Sequence, residues 1–198
     1  MVYAVDMSLT TTQKIAAAAR NLLDKDGAKG VTMRRVASAV GITPMAVYRH
    51  YQNRDGLLNA LADEGFVELS EKLAALRLTG AIDRQLIKIL DVFLDYAFEK
   101  PSLFTLMFLT KRKGARQYPQ DFRARRSPTA NVSADLIARA MELGHFRKDD
   151  VWEIVFETGA LIQGLAMLFL GGRVTLTRQQ FRVFCHRSFE RYLNGIRT

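Results

Sequence analysis

Apolar residues recur along this chain at three- and four-residue spacing, the period of a helix with one buried face, and beyond Phe66 no run alternates as a half-buried strand would. Residues 13–24, QKIAAAARNLLD, are alanine-rich with Ile15, Ala19, Leu22 and Leu23 on one face, and predict a packing helix. Gly27 and Gly30 interrupt it. Over 32–51 the pattern tightens: Val36, Ala37, Val40, Ile42 and Val47 are spaced so that two short helices share one small core, with Ala37 small enough for a steep crossing. Six longer helices are expected at about 54–76, 81–99, 101–111, 128–143, 149–170 and 177–194. With the three before them the prediction is an all-α chain of about nine helices.

Start and stop signals agree with the spacing. Thr32 is placed to cap one short helix and Gly41 to end it in a left-handed conformation. Thr43 followed by Pro44 opens the next, where proline's missing N–H costs nothing. Asn53 is expected to cap the helix beginning RDGLLNALADEGFVEL, Thr177 the last one, and Asp149 and Asp150 to serve as cap and dipole partners of the helix between. Gly114, Pro119 and Pro128 mark a connection, and Gly171 and Gly172 end the most apolar helix.

Two short helices over a three-residue turn form a helix-turn-helix. The runs T-x-R-x-V-A-x-x-V-G-I, V-Y-R-H-Y and N-R-x-x-L-L make it more particular, and over residues 13–65 the chain resembles the DNA-binding domain of the TetR family of bacterial transcriptional regulators. One departure is Arg54, where the family commonly has lysine; it keeps the charge. The expected organisation is a flexible tail at 1–12, a three-helix DNA-binding head at 13–56, and an effector-binding and dimerisation bundle at 57–198.

Recognition divides into positioning and readout. Pro44, Met45 and Arg49 on the second helix are expected at base edges, Met45 against a thymine methyl, with Arg49 or Arg34 donating to guanine. Thr32, Thr43, Tyr48, His50 and Arg54 are expected at phosphates, and Val47 in the core. In the larger domain, 96–109, YAFEKPSLFTLMFL, is apolar on more than one face, and Phe93, Tyr96, Phe104, Met107, Phe108, Trp152 and Phe156 are expected to line a pocket for a hydrophobic or amphipathic effector, as the resemblance implies. The resemblance also implies a two-fold dimer through the last two helices. There Phe156, Ala160, Gly164, Met167, Phe181, Phe184 and Phe189 are expected at the interface, with Gly159 and Ala166 aiding close approach and Arg178, Arg182, Arg187, Glu190 and Arg191 on its rim.

Composition adds three constraints. The net charge of +9 suits a polyanionic partner, but the head to Gly56 has eight Lys/Arg against four Asp/Glu, whereas 111–126, KRKGARQYPQDFRARR, has seven against one. That segment reads as a solvated loop, a second phosphate contact, or an attractor for an anionic effector. Cys185 is the sole cysteine, expected in a core or interface. His50, His145 and His186 are scattered, no glycine-rich phosphate loop occurs and no metal-ligand spacing is present, so neither enzyme, metal nor cofactor is expected. No uninterrupted apolar run reaches 18 residues and the first residues lack a signal-peptide pattern, so a cytoplasmic protein without membrane contact is expected.

The reading is therefore a homodimeric regulator, most simply a repressor, that binds a palindromic double-stranded operator and is released by a small molecule, the helix from Arg54 acting as lever. The alternative is a DNA-bound scaffold that recruits a protein and ignores small molecules.

Overall fold

The computed structural model describes residues 9–198, and the first eight residues of the expected tail lie outside them. Ten helices occur among the described residues: α1 (Thr11–Gly30), α2 (Met33–Val40), α3 (Pro44–His50), α4 (Arg54–Ala74), α5 (Ile82–Glu99), α6 (Pro101–Phe108), α7 (Gln120–Arg123), α8 (Pro128–Glu142), α9 (Val151–Leu170) and α10 (Arg178–Ile196). The all-α expectation holds. The helix beyond the expected nine is α7, a single turn in the basic connection, too short to leave a periodic signal.

Local chemistry sets the boundaries. Thr10 and Gln13 form a reciprocal capping box, so α1 starts at Thr11, and the final residues placed in the tail are its cap and first turn. Gly27, at φ 65°, breaks α1 before its last turn. Asn53 Oδ1 accepts from Gly56 N at 2.8 Å and opens α4. Asp150 caps α9 through the Trp152 and Glu153 amides, and Thr177 caps α10 with a second capping box.

The chain divides into two compact units. Among the described residues, the first contains 9–65 and 100–114, the second 66–99 and 115–198, with α4 contributing to both. The first unit thus reaches beyond 13–56, because α6 packs on α1 within it. Its seat on α4 is Gly65, where a Cβ would lie 2.6 Å from Met107 Sδ and 2.9 Å from Leu103 Cδ2. The core of this unit includes Ile15, Ala19, Leu23, Val36, Val47, Leu57, Leu61, Leu103 and Phe104.

In the second unit α5, α8, α9 and α10 pack on one another. Leu90, Leu94, Ile137, Ile154, Ile162, Phe181 and Leu193 are buried there, and the Phe98, Phe169 and Phe181 rings form one aromatic cluster. Cys185 is buried among them, and burial pushes its thiol up to about 12. By length and composition α9 is apolar enough to cross a membrane, but its Ile154, Val155, Thr158, Ile162 and Ala166 are buried in this helical core.

Candidate nucleic-acid interface

Of the seven residues of α3, only Val47 is buried. A helix anchored by one side chain leaves its other faces to solvent. The anchoring works because both ends of the turn are built in: Gly41 at φ 76° lets Ile42 N return to Ala37 O at 3.0 Å, and Thr43 Oγ1 accepts from Ala46 N at 3.2 Å with Pro44 directly behind it. Pro44, Met45, Tyr48, Arg49 and His50 are all exposed, Met45 at 66 %. On α2, Arg34 is exposed in the first turn, two residues after the Thr32 cap. Among the described residues, no hydrogen bond or ion pair engages the Arg34 or Arg49 side chain. Two guanidiniums and two large apolar groups therefore stand open on adjoining helices.

Neighbouring cations are committed elsewhere. Arg35, next to Arg34, pairs with Asp26 and donates to Gly30 O at 2.9 Å. Arg54, expected at a phosphate, instead donates through Nε to Val31 O at 2.7 Å and through Nη2 to Ala28 O at 2.5 Å. It brackets α4 to the α1–α2 connection, adding a charged donor to Ala28 O, which also accepts from Val31 N at 3.2 Å, and holding Val31 O just past the helix end. His50 Nδ1 lies 2.9 Å from Thr12 Oγ1, which leaves Nε2 for an outside partner. The Thr32 and Thr43 oxygens accept the cap hydrogen bonds, but their hydroxyl protons remain available to donate.

A family model described as bacterial regulatory proteins, tetR family, matches residues 15–61, and one described as tetracyclin repressor-like, C-terminal domain, matches residues 86–194. The second alone spans more than half the chain. The chain belongs to the TetR family. A curated relative, the uncharacterized HTH-type transcriptional regulator YobS of Bacillus subtilis (strain 168), is 22 % identical over 99 residues, half of this chain and 52 % of that protein, so the chain spans about half the length of the curated relative it matches. Among solved structures, a protein of unknown function from Rhodococcus sp. RHA1 superposes with TM-score 0.77 at 22 % identity, covering 99 % of this chain and 98 % of its own. The fatty acid degradation regulator FadR of Bacillus halodurans superposes with TM-score 0.71 at 14 % identity, covering 93 % and 99 %. A TetR variant from Acinetobacter baumannii AYE in complex with minocycline gives 0.69 at 16 %, covering 95 % and 96 %. These likenesses show the fold. The family is one of transcriptional regulators that carry a DNA-binding helix-turn-helix.

Within this TetR-family fold the seven residues expected around an effector divide between the units: Phe104, Met107 and Phe108 belong to the first, and Phe93, Tyr96, Trp152 and Phe156 to the second. Phe104 and Tyr96 are fully buried, and the Tyr96 hydroxyl donates to Glu68 at 2.9 Å. Phe156 is a surface residue instead, 43 % exposed, stacked on Tyr118 at 4.2 Å between centroids and edge-on to Phe122. Trp152 is half-buried beneath the Arg125 guanidinium.

The basic segment is no free cationic loop. Arg112 donates to Leu106 O, Met107 O and Asn59 Oδ1, Arg116 to Arg126 O while covering the Phe66 ring, and Arg123, Arg125 and Arg126 pair with Asp150, Asp135 and Asp121. The hydrogen bond from Arg123 holds the Asp150 carboxyl below the usual carboxylate range, and the Gln117 amide with Arg126 does the same for Asp121.

Interface expectations fare unevenly. Phe156, Ala160 and Met167 are exposed along α9 with Gly164 half-buried between them, an i, i+4, i+8, i+11 stripe. Phe181 and Phe189 are a correction: both are buried in the core of a single chain, because α10 turns them toward the α5 and α9 side. Phe184 is half-buried and stacks on Phe181. Ala166 is buried too, and Arg182, expected on a rim, reaches Asp91 at 2.7 Å and Asp95 within the same chain. The outward residue of α10 that pattern reading missed is Val183, 50 % exposed, together with Leu168 of α9.

Proposed function

We propose that this protein is a homodimeric, ligand-responsive repressor of transcription in the cytoplasm, bound to a palindromic operator and released by a small hydrophobic or amphipathic effector. The observation that carries the reading is α3, held by Val47 alone and presenting Pro44, Met45, Tyr48 and Arg49 beside the free guanidinium of Arg34. An exposed α-helix of this size fits the DNA major groove, where arginine donates two hydrogen bonds to guanine and an apolar side chain meets the thymine methyl. Thr32, Thr43, Tyr48 and His50 supply donors for phosphates, which fix register without reading sequence. Arg54 is assigned to holding α4.

A dimer is supported by the apolar stripe on α9, since an isologous contact needs one self-complementary patch. Small-molecule control is supported by the buried aromatic residues and by two structural neighbours, one a regulator of fatty acid degradation and one bound to minocycline. Release requires that the effector prefer a dimer whose two α3 helices are wrongly spaced for DNA, and α4, which runs from one unit into the other, is the proposed lever. Couplings of this kind amount to about 1–3 kcal/mol.

Selection of fragmented genomic DNA from the source organism on the purified protein, at low and at moderate salt, tests the reading. Enrichment of one palindrome that survives the higher salt is expected. Uniform retention lost as salt rises would mean that the basic surface binds phosphate without reading bases.

A further inference from the structure

A cleft of about 220 Å³ opens in the second unit where the N-terminal turn of α5, the end of α8, the α8–α9 turn and the C-terminal residues meet. It shares no residue with the effector positions named above. Its floor is buried and mostly apolar: Ile82, Phe146 and Gln85. Its rim is exposed, with the cationic Arg139 and the imidazole of His145 beside the apolar Leu143. One wall is clasped shut: Arg197 pairs with Asp83, and the backbone at Arg197 bridges to Phe146, with Arg147 N donating to Ile196 O at 2.9 Å.

Charge and hydrogen bonding specify what would fit. Asp83 is the one acid lining the cleft, and Arg197 already takes it. Arg139 has no ion-pair partner among the described residues, and neither Arg139 nor the imidazole of His145 has a side-chain hydrogen bond there. Gln85 is more than nine-tenths buried; its Nε2 donates to Gly80 O at 2.6 Å, while no described residue donates to its Oε1. The cleft thus offers an uncompensated guanidinium and an imidazole at the rim, an apolar floor, and one unfilled acceptor. A planar carboxylate matches a guanidinium with two parallel hydrogen bonds. The volume lies below the roughly 300–1,000 Å³ of pockets for drug-sized ligands, so the occupant is small.

We propose that this cleft binds a small organic monocarboxylate with an apolar body and one hydrogen-bond donor, the carboxylate on Arg139 and His145, the apolar part on Ile82, Phe146 and Leu143, and the donor toward Gln85. The site goes beyond the operator reading and stands whether or not that reading does, because neither its parts nor its test involve DNA. The full chain is titrated calorimetrically with mandelate, phenylacetate and benzyl alcohol, at ionic strength held constant with chloride. Mandelate is expected to saturate one site per chain, phenylacetate to bind several-fold more weakly, and benzyl alcohol not to bind measurably. Arg139→Gln, at an exposed position that leaves the fold untouched, is expected to weaken mandelate at least tenfold, and Leu143→Ser to weaken both carboxylates together. Failure of either carboxylate to saturate, an Arg139→Gln chain that titrates like the parent, or benzyl alcohol binding as tightly as mandelate would each overturn the assignment.

Discussion

Helices α3 and α9 both leave large apolar side chains in solvent, but in different company. On α3, Met45 and Tyr48 share the exposed surface with Arg49 and His50, beside Arg34 of α2. On α9, Phe156, Ala160 and Met167 form a stripe on a helix with no Lys or Arg from end to end. Single exposed apolar residues are ordinary on a protein surface, so the companions decide the meaning. Apolar groups set among unpaired cations and hydroxyls suit a ligand with negative charge outside and methyl groups within, which is duplex DNA. A stripe on a cation-free helix suits another apolar face, and the proposed occupant is the same stripe of a second copy of this chain.

The comparison breaks most visibly at α9. Met167→Asp puts a carboxylate into the proposed subunit contact, where an unpaired buried charge costs several kcal/mol. A fall in dimer affinity of at least about 100-fold, read by sedimentation at micromolar protein, is expected, with operator binding falling alongside. An unchanged dimer would move the contact elsewhere. At the other pole, Arg34→Ala is expected to cost roughly 1–3 kcal/mol of operator affinity and to relax preference at one base pair, whereas Tyr48→Phe weakens all sequences alike. Titrating both variants against a series of single-base operator changes distinguishes the roles, and equal loss across the series for both would erase the distinction.

Two smaller effects sharpen the contrast between free and committed arginines. Arg54→Ala removes charge-assisted hydrogen bonds to two helix-end carbonyls, so a loss of about 2 kcal/mol and roughly 4–8 °C in melting temperature is expected. The slope of log affinity against log salt should stay unchanged; a phosphate ligand would lower it by about one. Arg123→Ala acts through pH. Because Asp150 is held below the usual carboxylate range when folded, its pairing stabilises the fold above the unfolded value near about 4, and that contribution is lost as pH falls through the lower folded value. The melting-temperature gap between parent and Arg123→Ala should therefore be widest above about pH 5 and close in stronger acid. A gap that ignores pH would assign Arg123 to packing alone.

Much of the head was legible because its signals are local. Thr32, Gly41, Thr43, Pro44 and Asn53 act within three or four residues of themselves, and each occupies the place its chemistry requires. The start of α1 carries an equally local signal, the Thr10–Gln13 spacing of a capping box, but it is weaker than the alanine-rich run that follows it. What escaped was non-local. Arg123 finds Asp150 and Arg112 finds Asn59 far along the chain, so a segment that reads as surplus charge is a set of brackets. Arg34 and Arg35 differ in nothing that sequence displays, yet Asp26 claims one of them. On α10 the apolar residues Phe181, Val183, Phe184 and Phe189 crowd more than one face, and periodicity alone did not tell the inward Phe181 and Phe189 from the outward Val183.

The central claim, that α3 meets DNA while α9 meets a second chain, is tested most directly by the native mass of the complex on the duplex recovered from genomic selection, measured for the whole palindrome and for one half-site. The account predicts complexes built from chains in pairs on the palindrome, with the half-site bound far more weakly at the same salt. Single chains on either duplex with equal affinity, or a ladder of bound chains that simply lengthens with the duplex, would contradict it.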